Sequence, residues 1–193
     1  MRARGICLRA RVAVYVALLI SIPAAAQTAG LVPSIDNFGT VNQTYYRGAQ
    51  PTGRAYNDLA ASGVKLVIDL QEDGLASEPA LVQSAGMKFV RIPMNTRVAP
   101  TPDQIALFLK LVNDPSNQPV YVHCAGGRHR TGVMTAVYRM TQESWSADKA
   151  FQEMKQYRFG ADFLHPEFKR FVYTYQPAPA APAETLVTGT ATN

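Results

Sequence analysis

The sequence predicts an α/β fold, a three-layer sandwich with a central, mainly parallel sheet flanked by helices. Short apolar runs rich in β-branched residues alternate with helical patterns along the chain, as in parallel sheets. The run Val64–Leu70 is largely apolar, as expected of a strand covered on both faces. A Gly-Gly loop joins the run Val120–His123 to the helical stretch Thr131–Met140. This order of strand, tight loop and helix is that of a parallel α/β unit.

The two ends of the chain fall outside the predicted domain, residues 27–176. Residues 1–26 carry four arginines, then an apolar core and three alanines, which is the pattern of a cleaved signal peptide. An uncleaved membrane anchor is the alternative, although the apolar core is short for a span. Residues 177–193 lack apolar periodicity and predict a disordered tail. We therefore expect a secreted or periplasmic protein with no stable membrane association once the leader is removed.

Removing the leader changes both the charge and the cysteine content. Four of the 19 basic residues and none of the 14 acidic ones lie in it, which leaves a net charge of +1. The high isoelectric point therefore gives no support for nucleic acid as a partner. Cys124 is then the single cysteine, so no internal disulfide can form. A lone thiol is unexpected in an oxidising compartment, and it is either a buried core residue or a reactive group.

The other elements follow from periodicity, caps and turn residues. Strands are predicted at Thr44–Arg47, Val64–Leu70, Met87–Ile92 and Val120–His123, and helices at Thr52–Ser62, Glu78–Ala85, Thr101–Asn113, Thr131–Met140, Ser146–Tyr157 and Pro166–Tyr175. Pro93 is expected to end the third strand. Thr101 and Gln104 predict a capping box at the start of the third helix. Ligands bind at the carboxyl ends of parallel strands, and Cys124 lies at such an end.

The loop after the last strand combines a nucleophile with an anion cradle. Cys124 precedes Arg130 by six positions. The loop amides and the following helix N-terminus can bind phosphate oxygens, and the planar guanidinium can bind two of them at once. The same positive surroundings favour a cysteine thiolate, which is the nucleophilic form. The residues expected to bind phosphate are Ala125, Gly126, Gly127, Arg128, His129 and Arg130.

The chain at this point resembles the cysteine-based protein tyrosine phosphatases, in their dual-specificity branch. The signature of that family is met by His123, Cys124, Arg130 and Thr131. The segments Tyr46–Pro51, Gly63–Leu70 and Gly127–Gly132 are similar to small bacterial members and to the atypical fungal and plant relatives. The resemblance covers nearly the whole domain.

The resemblance implies a role for each matched residue. Cys124 would attack phosphorus and form a cysteinyl-phosphate, and Arg130 would bind the phosphate and stabilise the transition state. Thr131 would ease departure of the thiolate in the second step. His123 would brace the loop and help keep the cysteine ionised. No cofactor or metal is expected, because the three histidines lack ligand spacing.

The general acid is the one role without a clear residue. The family usually places an aspartate on a loop upstream of the cysteine, but the loop Asn95–Pro100 holds no carboxylate. Asp103 is the nearest candidate, although the helix dipole also favours an acid in a first helical turn. Asp69 and Glu72 are weaker candidates. Without an acid, good leaving groups such as a phosphoanhydride would be favoured.

The predicted function is a secreted phosphatase acting on phosphotyrosine or phosphoserine proteins, or on inositol polyphosphates or pyrophosphates. Arg128 and His129 suit a multiply phosphorylated substrate if they face the loop, and contribute little if they face solvent. A rhodanese-type sulfurtransferase and a phosphate-binding pseudophosphatase are the alternatives. Arg47 is expected to pair with a carboxylate, and Trp145 and Phe151 to lie in the core.

Overall fold

The computed structural model describes residues 33–177, so the predicted signal peptide and all but the first residue of the predicted tail lie outside the described residues. The strands are β1 Gly39–Asn42, β2 Tyr45–Ala49, β3 Leu66–Gln71, β4 Lys88–Met94 and β5 Val120–Cys124. The helices are α1 Ala55–Ala61, α2 Glu78–Ser84, α3 Pro102–Asn113, α4 Arg130–Gln142, α5 Ala147–Gln156 and α6 Pro166–Thr174.

The sheet confirms the predicted α/β class. Its strand order is β1-β2-β5-β3-β4, with β1 antiparallel to β2 and every other pair parallel. Side chains alternate between the two faces: Val67 and Tyr121 pack against α1 and α2, whereas Ile68 and Val122 pack against α3 to α6. Both faces of the central strands are therefore covered, which explains their continuous apolar runs.

The edges of the sheet differ from the prediction. β1 was not predicted; it pairs with β2 through a register shift between Thr40 and Asn42. β4 does not end at Pro93 but continues to Met94, which pairs with Gln71 of β3. The prediction was wrong because β4 is an edge strand, where a residue without an N–H can face away from the neighbouring strand.

The helix signals are confirmed at two starts. Thr101 Oγ1 accepts from the Gln104 N–H at 3.2 Å, and Gln104 Oε1 accepts from the Thr101 N–H at 2.8 Å. Ser146 accepts from the Lys149 N–H and caps α5. α4 begins at Arg130, one residue earlier than predicted, which places that arginine in its first turn.

Two further findings concern the periphery of the domain. Phe151 is buried as predicted, but Trp145 is only half-buried. Two cations lie over the Trp145 ring, Arg139 at 4.3 Å and Lys149 at 3.7 Å from its centroid, so the indole packs at the surface beneath charged side chains. Among residues 33–177, none of the helices has the length and apolar character that spanning a bilayer requires.

Candidate active site

A hollow of about 210 Å³ opens at the carboxyl end of β5, with Cys124 in its wall. Its lining residues are Thr96, Cys124, Ala125, Gly126, Arg128, His129 and Arg130. Apart from Thr96 and Cys124, the last residue of β5, all of them belong to one loop and the first turn of α4. The structure therefore brings together most of the residues predicted to bind phosphate.

Cys124 is only 3% exposed, yet its surroundings favour the thiolate. Burial by itself raises the pKa of a thiol. Here the hydroxyl and the N–H of Thr131, the charge of Arg130 and the N–H of Arg128 oppose burial, and together they lower the pKa of Cys124 below its usual value. The buried Thr131 hydroxyl has no hydrogen-bond partner among the described residues, so it is available to the sulfur when the sulfur is ionised.

Arg130 reaches the hollow with part of its guanidinium free. Nη1 donates to Met94 O at 3.2 Å and to Asp73 Oδ1 at 3.1 Å. Nε is buried and has no hydrogen-bond partner within residues 33–177. An unpaired buried donor is costly, so this atom needs an acceptor, and a phosphate oxygen in the hollow would provide one.

The phosphate-binding loop is held from behind by residues of the N-terminal segment. Asn37 Nδ2 donates to Gly126 O at 3.2 Å and to Gly127 O at 2.9 Å. Arg47 Nη2 donates to the same Gly127 oxygen at 2.8 Å. Gly127 has a φ of +62°, and a Cβ there would lie 2.3 Å from the carbonyl carbon of Gly48. Glycine is therefore required both by the backbone angle and by the close approach of β2.

The prediction for Arg47 was wrong. Its side chain is fully buried and has no carboxylate partner within the described chain; it stacks on the Tyr157 ring, with Cζ 3.9 Å from the ring centroid. Nε and Nη1 have no hydrogen-bond partner among residues 33–177. The expectation of a carboxylate followed from placing this residue after a strand, whereas it lies inside β2, next to β5.

His123 lies in a buried cluster beneath the loop. Its Nε2 is 3.0 Å from Glu78 Oε1, and its Nδ1 is 4.0 Å from Asp69 Oδ1. Asp69, Glu78 and His123 present three ligand atoms within 4.8 Å of one another, a spacing that a metal ion could bridge. Both carboxylates already have partners, because Arg91 Nε donates to Asp69 Oδ2 at 2.7 Å and Tyr56 donates to Glu78 Oε1 at 3.1 Å. We interpret the cluster as an ion-pair network below the catalytic loop.

The two basic residues of the loop differ in their surroundings. Arg128 is exposed and lines the hollow. His129 also lines it, but its ring lies 3.6 Å from the His165 ring between centroids, and its Nε2 is 3.0 Å from Phe159 O. Burial, followed by the nearby His165, lowers the pKa of His129 to about 4. Of the two, only Arg128 therefore adds positive charge at neutral pH.

No carboxylate lines the hollow within the described part of the chain. Asp103 is exposed in the first turn of α3 and does not line the hollow. From the upstream loop Asn95–Pro100, the residue that lines the hollow is Thr96. Asp69 pairs with Arg91, and Glu72 accepts from Asn95, so neither faces the hollow.

Sequence reasoning missed Asp73, the carboxylate that does contact the site. It is 75% exposed and pairs with Arg130. Its hydrogen bond from Arg130 is the main reason that the pKa of Asp73 is lowered. A lowered pKa makes Asp73 a poorer proton donor in the free protein. Its position only two residues beyond β3 was the one signal in the sequence, because strand ends form this edge of the sheet.

A larger hollow of about 510 Å³ lies between α3 and α6, lined mainly by Pro100, Pro102, Ile105, Leu109, Phe171 and Tyr175. None of its lining residues is charged, so it does not suit a phosphate.

The fold and this loop together define the class of phosphatases that use a cysteine nucleophile. Residues 33–169 match the family described as "DSP-PTPase phosphatase fused to NAD+ Kinase", and the chain belongs to this family. The resemblance to the dual-specificity branch is thereby confirmed.

Two curated relatives illustrate the range of this family. The chain is 29% identical over 128 residues to the dual specificity protein phosphatase TpbA of Pseudomonas aeruginosa strain UCBPP-PA14, covering 66% of this chain and 57% of that protein. It is 31% identical over 101 residues to the chloroplastic NAD kinase 2 of Arabidopsis thaliana, covering 49% of this chain and 10% of that protein. The chain thus spans just over half of the first relative and a tenth of the second.

Solved structures agree on the fold. The core catalytic domain of the PP-IP phosphatase SIW14 from S. cerevisiae, in complex with citrate, superposes with a TM-score of 0.65 at 25% identity, covering 74% of this chain and 87% of that one. P. aeruginosa TpbA superposes with a TM-score of 0.64 at 25% identity, covering 75% and 87%.

Proposed function

We propose that this protein is an exported phosphatase that removes phosphate through a cysteinyl-phosphate intermediate. The observation that carries the proposal is the pairing of a buried, ionisable sulfur with an unpartnered guanidinium nitrogen in one hollow. Cys124 supplies the sulfur, and Arg130 supplies a buried Nε that lacks an acceptor. A dianion bound there satisfies the donor and places phosphorus beside the nucleophile.

The chemistry proceeds in two steps. In the first, the Cys124 thiolate forms an S–P bond while the bond between phosphorus and the leaving oxygen breaks, and that oxygen takes a proton from water or from an acid. In the second, water attacks phosphorus and the S–P bond breaks with its electron pair on sulfur, which leaves as a thiolate; inorganic phosphate is released and a proton of the water passes to solvent. The Thr131 hydroxyl is one of the groups that lower the pKa of Cys124, and a hydrogen bond from it would stabilise the departing thiolate.

Leaving groups of low basicity are the substrates that this site suits. The hollow has no carboxylate in its lining within residues 33–177, so protonation of the leaving oxygen is the weakest element of the site. A phosphoanhydride or an aryl phosphate needs less protonation than an alkyl phosphate. Relatives are named as an inositol diphosphatase and as a dual-specificity phosphatase, and exposed Arg128 suits a multiply charged substrate. Inositol pyrophosphates and phosphotyrosine are therefore the two substrate classes that we propose.

The proposal is tested by phosphate release from a panel of substrates: an inositol pyrophosphate, inositol hexakisphosphate, a phosphotyrosine peptide, a phosphoserine peptide and p-nitrophenyl phosphate. We expect turnover of the pyrophosphate or of the aryl phosphates, with phosphoserine slowest. Cys124→Ser should abolish turnover, and denaturation during turnover should trap phosphate on Cys124 of the unmodified protein. Fast hydrolysis of phosphoserine would contradict the leaving-group argument.

Two other outcomes would assign another function. Binding of phosphate without release from any substrate, unchanged by Cys124→Ser, would identify a pseudophosphatase. Transfer of sulfur from thiosulfate to cyanide, without phosphate release, would identify a sulfurtransferase. The Arg130-Thr131 ending of the loop favours a phosphate substrate over that of a sulfurtransferase.

Export is supported only by the leader sequence. We expect the protein from cells of its source to begin at Gln27, after the three alanines. Amino-terminal sequencing of the protein in the periplasmic or culture fraction tests this; a cytoplasmic protein that retains Met1 would contradict it.

A further inference from the structure

One peptide of the catalytic loop connects a buried arginine to the cysteine. The carbonyl of the unit between Gly127 and Arg128 accepts from Arg47 at 2.8 Å and from Asn37 at 2.9 Å. The N–H of the same unit, that of Arg128, is among the groups that lower the pKa of Cys124, after Thr131 and Arg130. In a trans peptide the C=O and the N–H point in opposite directions. Anchoring the oxygen on one side therefore aims the hydrogen at the sulfur on the other.

We propose that Arg47 and Asn37 are positioning residues that hold this peptide so that its N–H faces Cys124 and supports the thiolate. Cation–carbonyl contact also polarises the peptide, because hydrogen bonds in a chain strengthen one another. The inference rests on the proposed function, since it assigns a task to two residues behind the same nucleophile. Neither residue touches the hollow, so neither is a catalytic residue.

The burial of Arg47 supports this assignment. A guanidinium that is fully buried with two unpartnered nitrogens is costly to maintain, and the ion pair that usually compensates such a charge is missing among residues 33–177. Burial lowers the pKa of Arg47, and Tyr45, Glu153, Tyr157 and, last, Cys124 oppose this. The sulfur is thus one of the groups whose negative charge would favour the buried guanidinium.

The other ionisable groups near this pair do not replace Arg47. Burial raises the pKa of Tyr45 and of Tyr121, so both remain neutral. Glu153 of α5 already binds Arg139 at 2.7 Å. Tyr157 faces the guanidinium with its ring. Thr131, Arg130 and the Arg128 N–H are the groups that lower the pKa of the sulfur.

Asn37 has a geometry suited to the same task. Its φ of 55° lies in the left-handed region, where asparagine is tolerated better than most residues. From there its amide nitrogen also donates to the backbone oxygen of Tyr157 at 3.0 Å, and the ring of that residue stacks on Arg47. Asn37 thus binds both the catalytic loop and Tyr157, the residue that packs against Arg47.

The test is the pH dependence of Cys124 alkylation by iodoacetamide, followed on the Cys124 peptide by mass spectrometry so that Cys7 does not interfere. We compare the unmodified full chain with Arg47→Met, Arg47→Lys and Asn37→Gly. Glycine keeps the left-handed backbone while removing the donor. Arg54→Met, which removes an exposed arginine paired with Asp58, is the matched control.

We expect Arg47→Met and Asn37→Gly each to raise the alkylation midpoint by about one pH unit, which is about a tenfold loss of thiolate at acidic pH. Arg47→Lys should restore part of the loss, because it keeps the charge but not the planar fork. The control should leave the midpoint unchanged. A residue that acts only on stability would lower the unfolding temperature without moving the midpoint.

Folded variants with an unchanged midpoint would overturn the inference while leaving the proposed function intact. An ordinary thiol midpoint in the unmodified protein would instead refute the proposed function. If Arg47→Met does not fold, Asn37→Gly and Arg47→Lys decide the question.

Discussion

Replacing Gly127 with alanine tests the close contact between the catalytic loop and β2. The added Cβ would lie 2.3 Å from Gly48 C, 2.4 Å from Gly48 O and 2.7 Å from Ala49 N. All three atoms are backbone, so no side chain can rotate away, and the loop has to move away from β2.

The expected cost has two parts. A left-handed backbone costs a residue with a Cβ about 1–2 kcal/mol. Overpacking against atoms that cannot yield adds about 1–3 kcal/mol. We therefore expect Gly127→Ala to lower the free energy of unfolding by about 2–5 kcal/mol. A loop displacement near 1 Å should also lower kcat/KM about 100-fold, since the amides no longer meet the phosphate.

Urea unfolding and phosphate release from p-nitrophenyl phosphate measure the two effects. Gly63→Ala is the matched control: its φ is +86°, and a Cβ there would meet nothing within 4 Å. Gly63 precedes β3 and thus lies at the opposite edge of the sheet from the site. The control should show only the backbone cost and keep full activity.

The difference between the two variants isolates the contact with β2. Equal stability of the two variants, together with full activity of Gly127→Ala, would refute the reasoning. It would mean that the loop tolerates a side chain where the structure places backbone.

Three further predictions concern the rim of the site. Asp73→Asn should lower KM for p-nitrophenyl phosphate a few-fold at unchanged kcat, because it removes an ion that competes with phosphate for Arg130; a large fall in kcat instead, about 100-fold or more, would identify a general acid. Asp103→Asn should leave the pH–rate profile unchanged, since this side chain does not line the hollow. The folded state depresses the pKa of His129 from 6.5 to about 4. The stability that the neutral imidazole contributes is therefore complete above pH 6.5 and is lost as the pH falls through about 4. Between these pH values, the unfolding temperature of His129→Gln should fall less than that of the unmodified protein.

Helix starts and buried strands were predictable because their signals are local. The capping box at Thr101 needs only residues within one turn, and an apolar run such as Val64–Leu70 reports burial directly. The edges of the sheet were not predictable. A strand can include a proline such as Pro93 only where no neighbouring strand needs its N–H, and whether β4 has a neighbour on that side depends on the strand order.

The general acid was not predictable from the sequence for the same reason, because the residues around the site are brought together by the tertiary structure. The sequence offered Asp103 because it lies closest to the expected loop along the chain, but the hollow is formed in three dimensions by Thr96 and the loop after β5. Asp73 reaches Arg130 across 57 positions of the chain, and its place just beyond β3 is the one local signal for it.

The chemistry of the site was determined by the sequence alone. The nucleophile, the loop amides and the guanidinium lie within one short loop, so their spacing along the chain fixes how close they lie in space. The supports of that chemistry were decided by the tertiary structure. Arg47 and Asn37 meet Gly127 across 80 and 90 positions, and only the placement of β2 beside β5 brings them there. A buried donor takes whichever acceptor the fold brings near, so its partner follows from strand order rather than from the residues around it.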